Sequence, residues 1–210
     1  MDMRLRAPFT MLVAGPTGSG KTVLVSRLIE HASALSDPPP SEIIYCYDEW
    51  QSGFEPLSQK VTFKKGVPDD TILLNDGRHR WIIVDDLMDE LLDGKAANEL
   101  FTKKSHHRKI SVVFIVQNLF HKNIRTVSVN THYMFIAKSP RDATSVLNIA
   151  KQAFPGRTKY VMEAYRDATK RPHSFLLIDM RQETDDDARL IANYPPTDDN
   201  RMVVYAPKGL

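Results

Sequence analysis

The chain has 210 residues, of which 42% are hydrophobic and 26% are charged, and its formal net charge is +2 at pH 7. This composition is typical of a globular protein long enough for one sizeable domain, and it excludes a disordered or fibrous chain. Because the net charge is close to zero, it argues neither for nor against a nucleic-acid partner, and any basic surface must be local.

The sequence gives no sign of a membrane segment or of disulfides. The N-terminal MDMRLRAPFT lacks a long apolar core, and no apolar run approaches the roughly 20 residues that a membrane-spanning helix needs. The single cysteine, Cys46, lies in an apolar run, which predicts a buried side chain and fits a reducing compartment. We therefore expect a soluble intracellular protein without a membrane partner.

Six short apolar runs indicate buried strands. They are continuous rather than alternating, which favours strands covered on both faces, as in a parallel sheet between helices. The runs are residues 9–14, 43–47, 81–84, 111–116, 132–137 and 174–180. The segments with helical character are residues 21–35, 96–105 and 141–153. This alternation predicts an α/β fold with a mostly parallel central sheet flanked by helices.

Proline and glycine divide the chain. The run DPPP at 37–40 ends the first predicted helix, and Pro155 with Gly156 ends a later one. We expect residues 1–181 to form one domain. Residues 182–210 contain three consecutive aspartates and a pair of prolines, which predicts a loosely packed C-terminal extension.

The sequence GPTGSGKT at 15–22 has the pattern of a phosphate-binding loop, and it lies between a predicted strand and a predicted helix. Its glycines allow backbone conformations in which consecutive amides converge on phosphate oxygens at the positive end of a helix dipole. Lys21 would reach the β- and γ-phosphates of ATP, and Thr22 would bind Mg²⁺ through its hydroxyl. The predicted nucleotide-binding residues are Gly15, Pro16, Thr17, Gly18, Ser19, Gly20, Lys21, Thr22 and Val23.

A second apolar strand, at 81–84, ends in Asp85 and Asp86. A carboxylate at the end of a buried strand beside the phosphate-binding strand would hold Mg²⁺, and Asp85 fits this role. Asp86 would orient or deprotonate an attacking water, or it would cap the helix that follows, and these two roles are compatible. Glu90 is the alternative base if Asp86 is only a cap.

Gln117 ends the strand at 111–116, at the edge of the sheet where α/β proteins bind ligands. Its amide would contact the γ-phosphate or the attacking water, or it would satisfy the backbone of a loop.

Arginines that stabilise transition-state charge in phosphoryl transfer can come from a neighbouring subunit. The candidates, each of which is otherwise a solvated surface residue, are Arg108, Arg125 and Arg141. Arg108 precedes the strand at 111–116 on its amino side, which suits the site of a neighbour better than its own. Arg108 also belongs to a basic cluster at 103–109, which would contact DNA phosphates or form a solvated helix end.

Taken together, four segments resemble the DNA-packaging ATPases of the FtsK–HerA superfamily: GPTGSGKT, IIVDDLM, LFTKKSHHRKISVVFIVQNLF and HYMFIAKSPRD. Within it, the resemblance is to the poxvirus-type packaging ATPase of Polinton/Maverick elements, adintoviruses and related double-stranded DNA viruses, and it covers about residues 7–180. It implies a P-loop NTPase fold of the RecA/FtsK–HerA type. It also implies an ATP-driven motor that moves double-stranded DNA into a capsid, usually as a homo-oligomeric ring.

By this resemblance, Asp85 and Asp86 form the Walker B pair, and Gln117 is the sensor-like residue. The residues predicted to take part in catalysis are Lys21, Asp86, Gln117 and Arg108. Most members of the superfamily carry glutamate where this chain has Asp86, so the carboxylate here is one methylene shorter. The implied partners are double-stranded DNA and a capsid or portal-type viral protein, and the implied ring is a hexamer or pentamer. The implied location of this virus-encoded protein is the host cytoplasm or nucleus, and the virion is a further implied location.

Two other functions remain open from the sequence. A P-loop kinase acting on a small molecule would share the phosphate-binding loop and the sheet, although no arginine-rich lid is visible. A non-catalytic nucleotide-dependent scaffold would bind ATP without hydrolysing it, and the presence of Lys21, Thr22, Asp85 and Asp86 disfavours it.

Overall fold

The computed structural model describes residues 2–69, 72, 76–87, 90, 109–119 and 130–207. The strands are β1 (Leu5–Arg6), β2 (Thr10–Ala14), β3 (Ser36–Asp37), β4 (Glu42–Tyr47), β5 (Thr62–Lys65), β6 (Arg80–Asp85), β7 (Ile110–Val116), β8 (Tyr133–Ala137), β9 (Phe175–Asp179), β10 (Leu190–Ala192) and β11 (Val203–Tyr205). The α-helices are α1 (Lys21–Glu30), α2 (Ala32–Leu35), α3 (Ala143–Ala153) and α4 (Thr158–Ala168). In this part of the chain, no helix combines the length and the hydropathy that crossing a bilayer requires.

Nine strands form one sheet in the order β11–β10–β9–β8–β2–β7–β6–β4–β5, and β1 pairs with β3 separately. The strands from β8 to β5 are all parallel to their neighbours. Strands β9, β10 and β11 continue the sheet with antiparallel pairing. The predicted mostly parallel central sheet is therefore confirmed, and it carries an antiparallel extension at one side.

Both faces of the sheet are buried. Alternate residues of the strands enter two hydrophobic clusters, so that Leu12 faces the cluster that contains Val161 of α4, and Met11 faces the one that contains Leu28 of α1. This two-sided burial explains why the strands read as continuous apolar runs rather than alternating ones. Cys46 is fully buried, as predicted, and burial raises the pKa of its thiol to about 12.

The helix boundaries follow the local punctuation. The predicted helix at 21–35 is two helices, because α1 ends at Glu30 and α2 begins after His31. The run at 37–40 ends this helical segment, and Pro155 with Gly156 separates α3 from α4, as predicted. The predicted helix at 96–105 lies outside the described residues.

The C-terminal segment packs more tightly than the sequence indicates. Leu190 is fully buried and Ile191 is 2% exposed, because β10 pairs with β9 and presents Leu190 and Ala192 to one face of the sheet and Ile191 to the other. The prediction of loose packing is therefore wrong for residues 188–194. Strand β11 lies at the outer edge, where Val203 is 43% exposed. The proposed boundary at residue 181 remains a prediction.

Substitution of Leu190 tests this packing. We expect Leu190→Ala to lower the free energy of unfolding by about 2–5 kcal/mol, because it removes a fully buried side chain and leaves a cavity. Val203→Ala, on the exposed edge strand, should change it by less than about 1 kcal/mol. Denaturant unfolding measures both. Equal stability of Leu190→Ala and the unsubstituted chain would contradict the packing of β10.

Candidate nucleotide-binding site

A cleft of about 530 Å³ lies at the carboxyl edge of the parallel strands. The ends of three strands meet there, since Ala14 of β2 is in register with Val116 of β7, and Asp85 of β6 with Ile115. The residues that line the cleft are Thr17, Gly18, Gly20, Lys21, Thr22, Val23, Arg27, Gln51, Asp85, Asp86, Ile115, Val116, Gln117 and His173. Ligands of α/β sheets bind at this edge.

The strand that carries Asp85 is not directly beside the strand that carries the phosphate loop. Strand β7 lies between β2 and β6, so the predicted adjacency is wrong. Local sequence does not determine the order of parallel strands, because each crossover can place the next strand on either side. The inserted strand brings Gln117 to the middle of the site, between the phosphate loop and Asp85.

The phosphate loop contacts both strands that flank β2, which are β7 and β8. The Gly15 N–H donates to the Val116 oxygen at 3.2 Å, which extends the β2–β7 ladder into the loop. On the other side, a Cβ at Gly15 would lie 2.6 Å from the Ala137 Cβ of β8, so a larger residue does not fit. Gly18 and Gly20 have φ values of 78° and 90°, which favour glycine.

The N-terminus of α1 is open towards the cleft. The helical ladder begins with the Leu24 N–H, which donates to the Gly20 oxygen at 2.9 Å, and the N–H groups of residues 21–23 precede it. No side chain caps this terminus, and its first turn contains no acidic residue. These amides and the helix dipole therefore form an anion-binding end.

The Lys21 side chain is folded back over the phosphate loop. Its Nζ donates to the Gly15 oxygen at 2.7 Å and to the Pro16 oxygen at 3.2 Å. Partial burial lowers the pKa of the Lys21 ammonium, and the negative charges of Asp85 and Asp86 oppose this change. The ammonium is thus held by two backbone carbonyl oxygens of the phosphate loop.

Asp85 is a buried carboxylate that accepts a hydrogen bond from the Tyr45 hydroxyl. Its side chain is at the end of β6, the residue is 7% exposed, and the Tyr45 hydroxyl donates to its Oδ2 at 2.7 Å. Burial raises the pKa of the Asp85 carboxyl, and the hydrogen bond from Tyr45 and the charge of Lys21 lower it. Burial also raises the pKa of Tyr45 far above its ordinary value, so this hydroxyl remains a donor.

Asp86 and Gln117 contact each other at the mouth of the cleft. The Gln117 Nε2 donates to Asp86 Oδ2 at 2.9 Å, and both side chains are exposed. Asp86 has a φ of 58°, in the left-handed region, and follows Asp85, the last residue of β6. The helix that Asp86 was expected to cap lies outside the described residues except at Leu87 and Glu90. Glu90 is exposed and does not line the cleft.

The residues of the cleft fit a magnesium nucleotide. The Thr22 hydroxyl and the Asp85 carboxylate line the same cavity, and hard oxygen ligands of this kind suit Mg²⁺, which also keeps water and phosphate oxygens. Ser19 Oγ, in the phosphate loop, is buried without a hydrogen-bond partner among the described residues. In the described part of the chain, no group of three or more His, Cys, Asp and Glu side chains is placed to hold a metal ion.

The structure brings most of the predicted site residues together. Pro16 and Ser19 line a smaller neighbouring cavity with Thr17 and Gly18 rather than the cleft itself. Of the candidate arginines, Arg108 and Arg125 lie outside the described residues. Arg141 is exposed in a 3₁₀ helix that follows β8.

Four further residues at the site carry no motif in the sequence. Tyr45 lies within an apolar run and was indistinguishable there from other core residues. Arg27, Gln51 and His173 line the cleft from α1, from the segment after β4 and from the segment before β9. Arg27 lies one turn after Val23 on α1, so its position follows from the helix, whereas the positions of Gln51 and His173 depend on the pairing of distant strands and no local signal marks them.

The fold has close counterparts among solved structures. B204, the DNA-packaging ATPase from Sulfolobus Turreted Icosahedral Virus, aligns with a TM-score of 0.60 at 11% identity, over 98% of this chain and 100% of that one. The genome packaging NTPase B204 from Sulfolobus turreted icosahedral virus 2, in complex with ATP-gammaS, aligns with a TM-score of 0.59 at 15% identity, over 84% and 94%. The cytoplasmic domain of the Type VII secretion ATPase EccC from Thermomonospora curvata aligns with a TM-score of 0.55 at 15% identity, over 83% of this chain and 24% of that one.

Sequence comparisons add no further relative, since neither a family model nor a curated protein matches the chain. The structural likeness and the cleft together define the class of fold. It is the α/β fold of these ATPases, with a large and mostly parallel sheet flanked by helices.

Removing the Tyr45 hydroxyl tests the electrostatics of Asp85. We expect Tyr45→Phe to raise the pKa of the Asp85 carboxyl further above its ordinary value of 3.8, because the lost hydrogen bond favours the charged form. NMR titration of the carboxyl carbon in nucleotide-free protein measures this shift. Tyr205→Phe, which removes a hydroxyl bonded to Asp167, is the matched control and should leave Asp85 unchanged.

The sign of the accompanying pH dependence follows from the raised pKa. A raised folded-state pKa favours the neutral carboxyl, so its contribution to stability is present below the unfolded-state pKa and is lost as the pH rises through the folded-state value. Tyr45→Phe should extend this loss to higher pH. A pKa of Asp85 that stays constant or falls in Tyr45→Phe would contradict the assigned contact.

Proposed function

We propose that this chain is an ATP-hydrolysing motor that moves double-stranded viral DNA into a capsid. The observation that carries the proposal is that Lys21, Thr22, Asp85, Asp86 and Gln117 line one cleft at the end of an open helix N-terminus. The structural likeness to B204, which is itself described as a DNA-packaging ATPase, supports the packaging role.

Binding begins with groups that are already positioned. The amides of residues 21–23 would donate to phosphate oxygens, and Lys21 would exchange its two carbonyl partners for the β- and γ-phosphates. Thr22 and Asp85 would hold Mg²⁺ between them. When bound, this ion would neutralise charge on the β- and γ-phosphate oxygens.

The exposed pair of Asp86 and Gln117 suits the chemical step. In hydrolysis, the oxygen of a water attacks the γ-phosphorus, the bond to the β–γ bridging oxygen breaks, and ADP leaves with those electrons. Asp86 would accept the proton of the attacking water, since it is separate from the metal ligand Asp85 and open to the cleft mouth. Gln117 would fix the orientation of the Asp86 carboxylate through the hydrogen bond that it already makes.

A ring of identical subunits would convert hydrolysis into movement. A neighbouring subunit would supply an arginine to the γ-phosphate, and Arg108 is the first candidate because of its place before β7. Loss of the γ-phosphate contacts would then shift the interface between subunits and move loops along the DNA backbone. A capsid or portal-type viral protein would receive the DNA.

Substitutions in the cleft test the site. We expect Lys21→Ala to lower ATP turnover at least about 100-fold, because it removes the ammonium that would stabilise negative charge on the transferred phosphoryl group. Asp86→Asn should lower turnover by a similar factor while Mg·ATP still binds, since it changes the base and not the phosphate loop. Lys151→Ala, on the exposed side of α3, is the control and should retain full turnover. Normal turnover by Lys21→Ala would refute the site assignment.

The response to DNA tests the motor. We expect double-stranded DNA to raise the ATPase rate several-fold at low salt, with the effect declining as salt is added, because contacts to the backbone release counterions. Particle mass measured with a non-hydrolysable ATP analogue should correspond to a closed ring of subunits. Stimulation by a small metabolite instead of DNA would indicate a kinase, and ATP binding without any turnover would indicate a scaffold.

A further inference from the structure

A cavity of about 310 Å³ lies between the phosphate loop, the end of β8 and the segment 169–174. We call it the basic cavity, because Lys138, Lys170 and Arg171 line it and no acidic residue among the described ones does. Lys170 pairs with Asp167 at 2.7 Å, whereas Lys138 and Arg171 make no ion pair or side-chain hydrogen bond within the described residues. The basic cavity therefore carries positive charge that is not neutralised, which favours an anionic partner.

The basic cavity shares a wall with the phosphate loop. Thr17 and Gly18 line both this cavity and the nucleotide cleft, and so does His173. A Cβ at Gly20 would lie 2.9 Å from both the Cβ and the Nδ1 of His173, so this side chain packs directly against the loop. His173 has a φ of 57°, in the left-handed region that few residues other than glycine adopt. A partner held in the basic cavity would therefore contact the backbone that faces the phosphates.

An exposed tryptophan lies on the other side of the nucleotide cleft. Trp50 is 50% exposed, although three aromatic rings contact it. Its ring centroid lies 5.6 Å from that of Tyr47, 5.5 Å from that of Phe54 and 5.1 Å from that of Phe63. A side chain that is already held by its neighbours loses little entropy on binding, and tryptophan is enriched among the residues that dominate protein interfaces. Trp50 thus has the character of an interface anchor.

Two carboxylates precede this tryptophan in the chain. Asp48 and Glu49 are both exposed, and neither makes an ion pair within the described residues. We call these two residues and Trp50 the acidic segment. Lys65 of β5 and Glu55 add one nearby charge of each sign. The acidic segment complements the basic cavity, because lysine and arginine pair with carboxylates and also bind the faces of aromatic rings.

The two surfaces lie at the same edge of the sheet but on opposite sides of the phosphate loop. The acidic segment follows β4, whose last residue, Tyr47, is in register with Asp85, and Gln51 after it lines the nucleotide cleft. The basic cavity adjoins the end of β8, and β2, β7 and β6 separate β8 from β4, which is about 19 Å at the usual strand spacing. Between two subunits, such surfaces form a head-to-tail contact, which can close into a ring.

We propose that the acidic segment of one subunit docks in the basic cavity of the next copy of this chain. Arg171 would cover the Trp50 ring, and Lys138 would face the two carboxylates. The proposal rests on the proposed function, because it takes the working form to be a ring of identical subunits. Each subunit would touch the phosphate loop of its neighbour with a segment that borders its own nucleotide cleft. Successive nucleotide sites would thus be connected through a single contact.

Charge reversal tests the pairing of the two surfaces. One variant carries Asp48→Lys and Glu49→Lys, and the other carries Lys138→Glu and Arg171→Glu. Each variant alone would bring like charges together, so we expect its subunits to associate about tenfold more weakly or worse. An equimolar mixture should associate again, because alternating subunits meet opposite charges at every contact. Sedimentation velocity with Mg²⁺ and a non-hydrolysable ATP analogue measures particle mass, and Lys151→Glu, on the exposed side of α3, is the control that should change nothing.

Removal of the aromatic anchor tests the same contact without a change of charge. We expect Trp50→Ala to weaken association about tenfold or more, as at other interface anchors. Its affinity for the ATP analogue, measured by titration calorimetry, should stay within about twofold, since Trp50 does not line the cleft. Val203→Ala, which truncates an exposed apolar side chain at the far edge of the sheet, is the matched control and should leave both unchanged. Lys138→Glu alone replaces the double variant if that variant lacks a native circular dichroism spectrum.

The other outcomes overturn the inference in distinguishable ways. Unchanged association of the charge-reversed variants or of Trp50→Ala would remove the docking contact and leave the nucleotide site intact. Variants that remain apart when mixed would show that these charges do not face each other. A chain that binds the ATP analogue but remains a single subunit would also overturn the docking. Failure of the unsubstituted chain to bind the analogue would refute the proposed function itself.

Discussion

The close approach of the backbone at Gly15 to its two neighbouring strands is the constraint on which the site depends. Its N–H continues the ladder to Val116, and its missing side chain lets β8 come within contact distance at Ala137. This fixes the point at which the chain leaves β2, and with it the direction of α1. The contacts of Gly15 therefore fix the positions of three features relative to one another: the N-terminus of α1, the Lys21 side chain and the ends of the neighbouring strands.

The two acidic residues at the end of β6 have opposite environments although they are adjacent in sequence. Asp85 belongs to the buried strand, where loss of hydration raises the pKa of its carboxyl and a cation would be favoured strongly. Asp86 leaves the sheet with a positive φ and reaches solvent. A buried carboxylate and an exposed one thus lie side by side because of a single turn of the backbone, and the hydrogen bond from Tyr45 stabilises the buried charge.

Much of this arrangement can be predicted from the sequence. Burial on both faces makes the strands continuous apolar runs, and the phosphate loop needs glycine at defined positions. The order of the strands cannot be predicted in this way, since the crossovers that place β7 between β2 and β6 leave no local pattern. Strand β10 has only three residues, LIA, which is too short for periodicity to identify. Tyr45 and His173 reach the site only through pairing between distant segments. From the sequence alone, Tyr45 is therefore predicted as a core residue and His173 as a loop residue.

The resting position of Lys21 bears on how quickly the site can act. A lysine side chain that moves freely in solvent loses considerable rotamer entropy when a ligand orders it. Here the ammonium is already restrained by the oxygens of Gly15 and Pro16, so that loss occurs when the chain folds. To bind an anion, the Lys21 ammonium then exchanges these two oxygens for the anion over a short distance. When the anion leaves, the ammonium can bond to the same two oxygens again. Repeated binding and release of phosphates at this site would therefore not require the Lys21 side chain to be ordered anew each time.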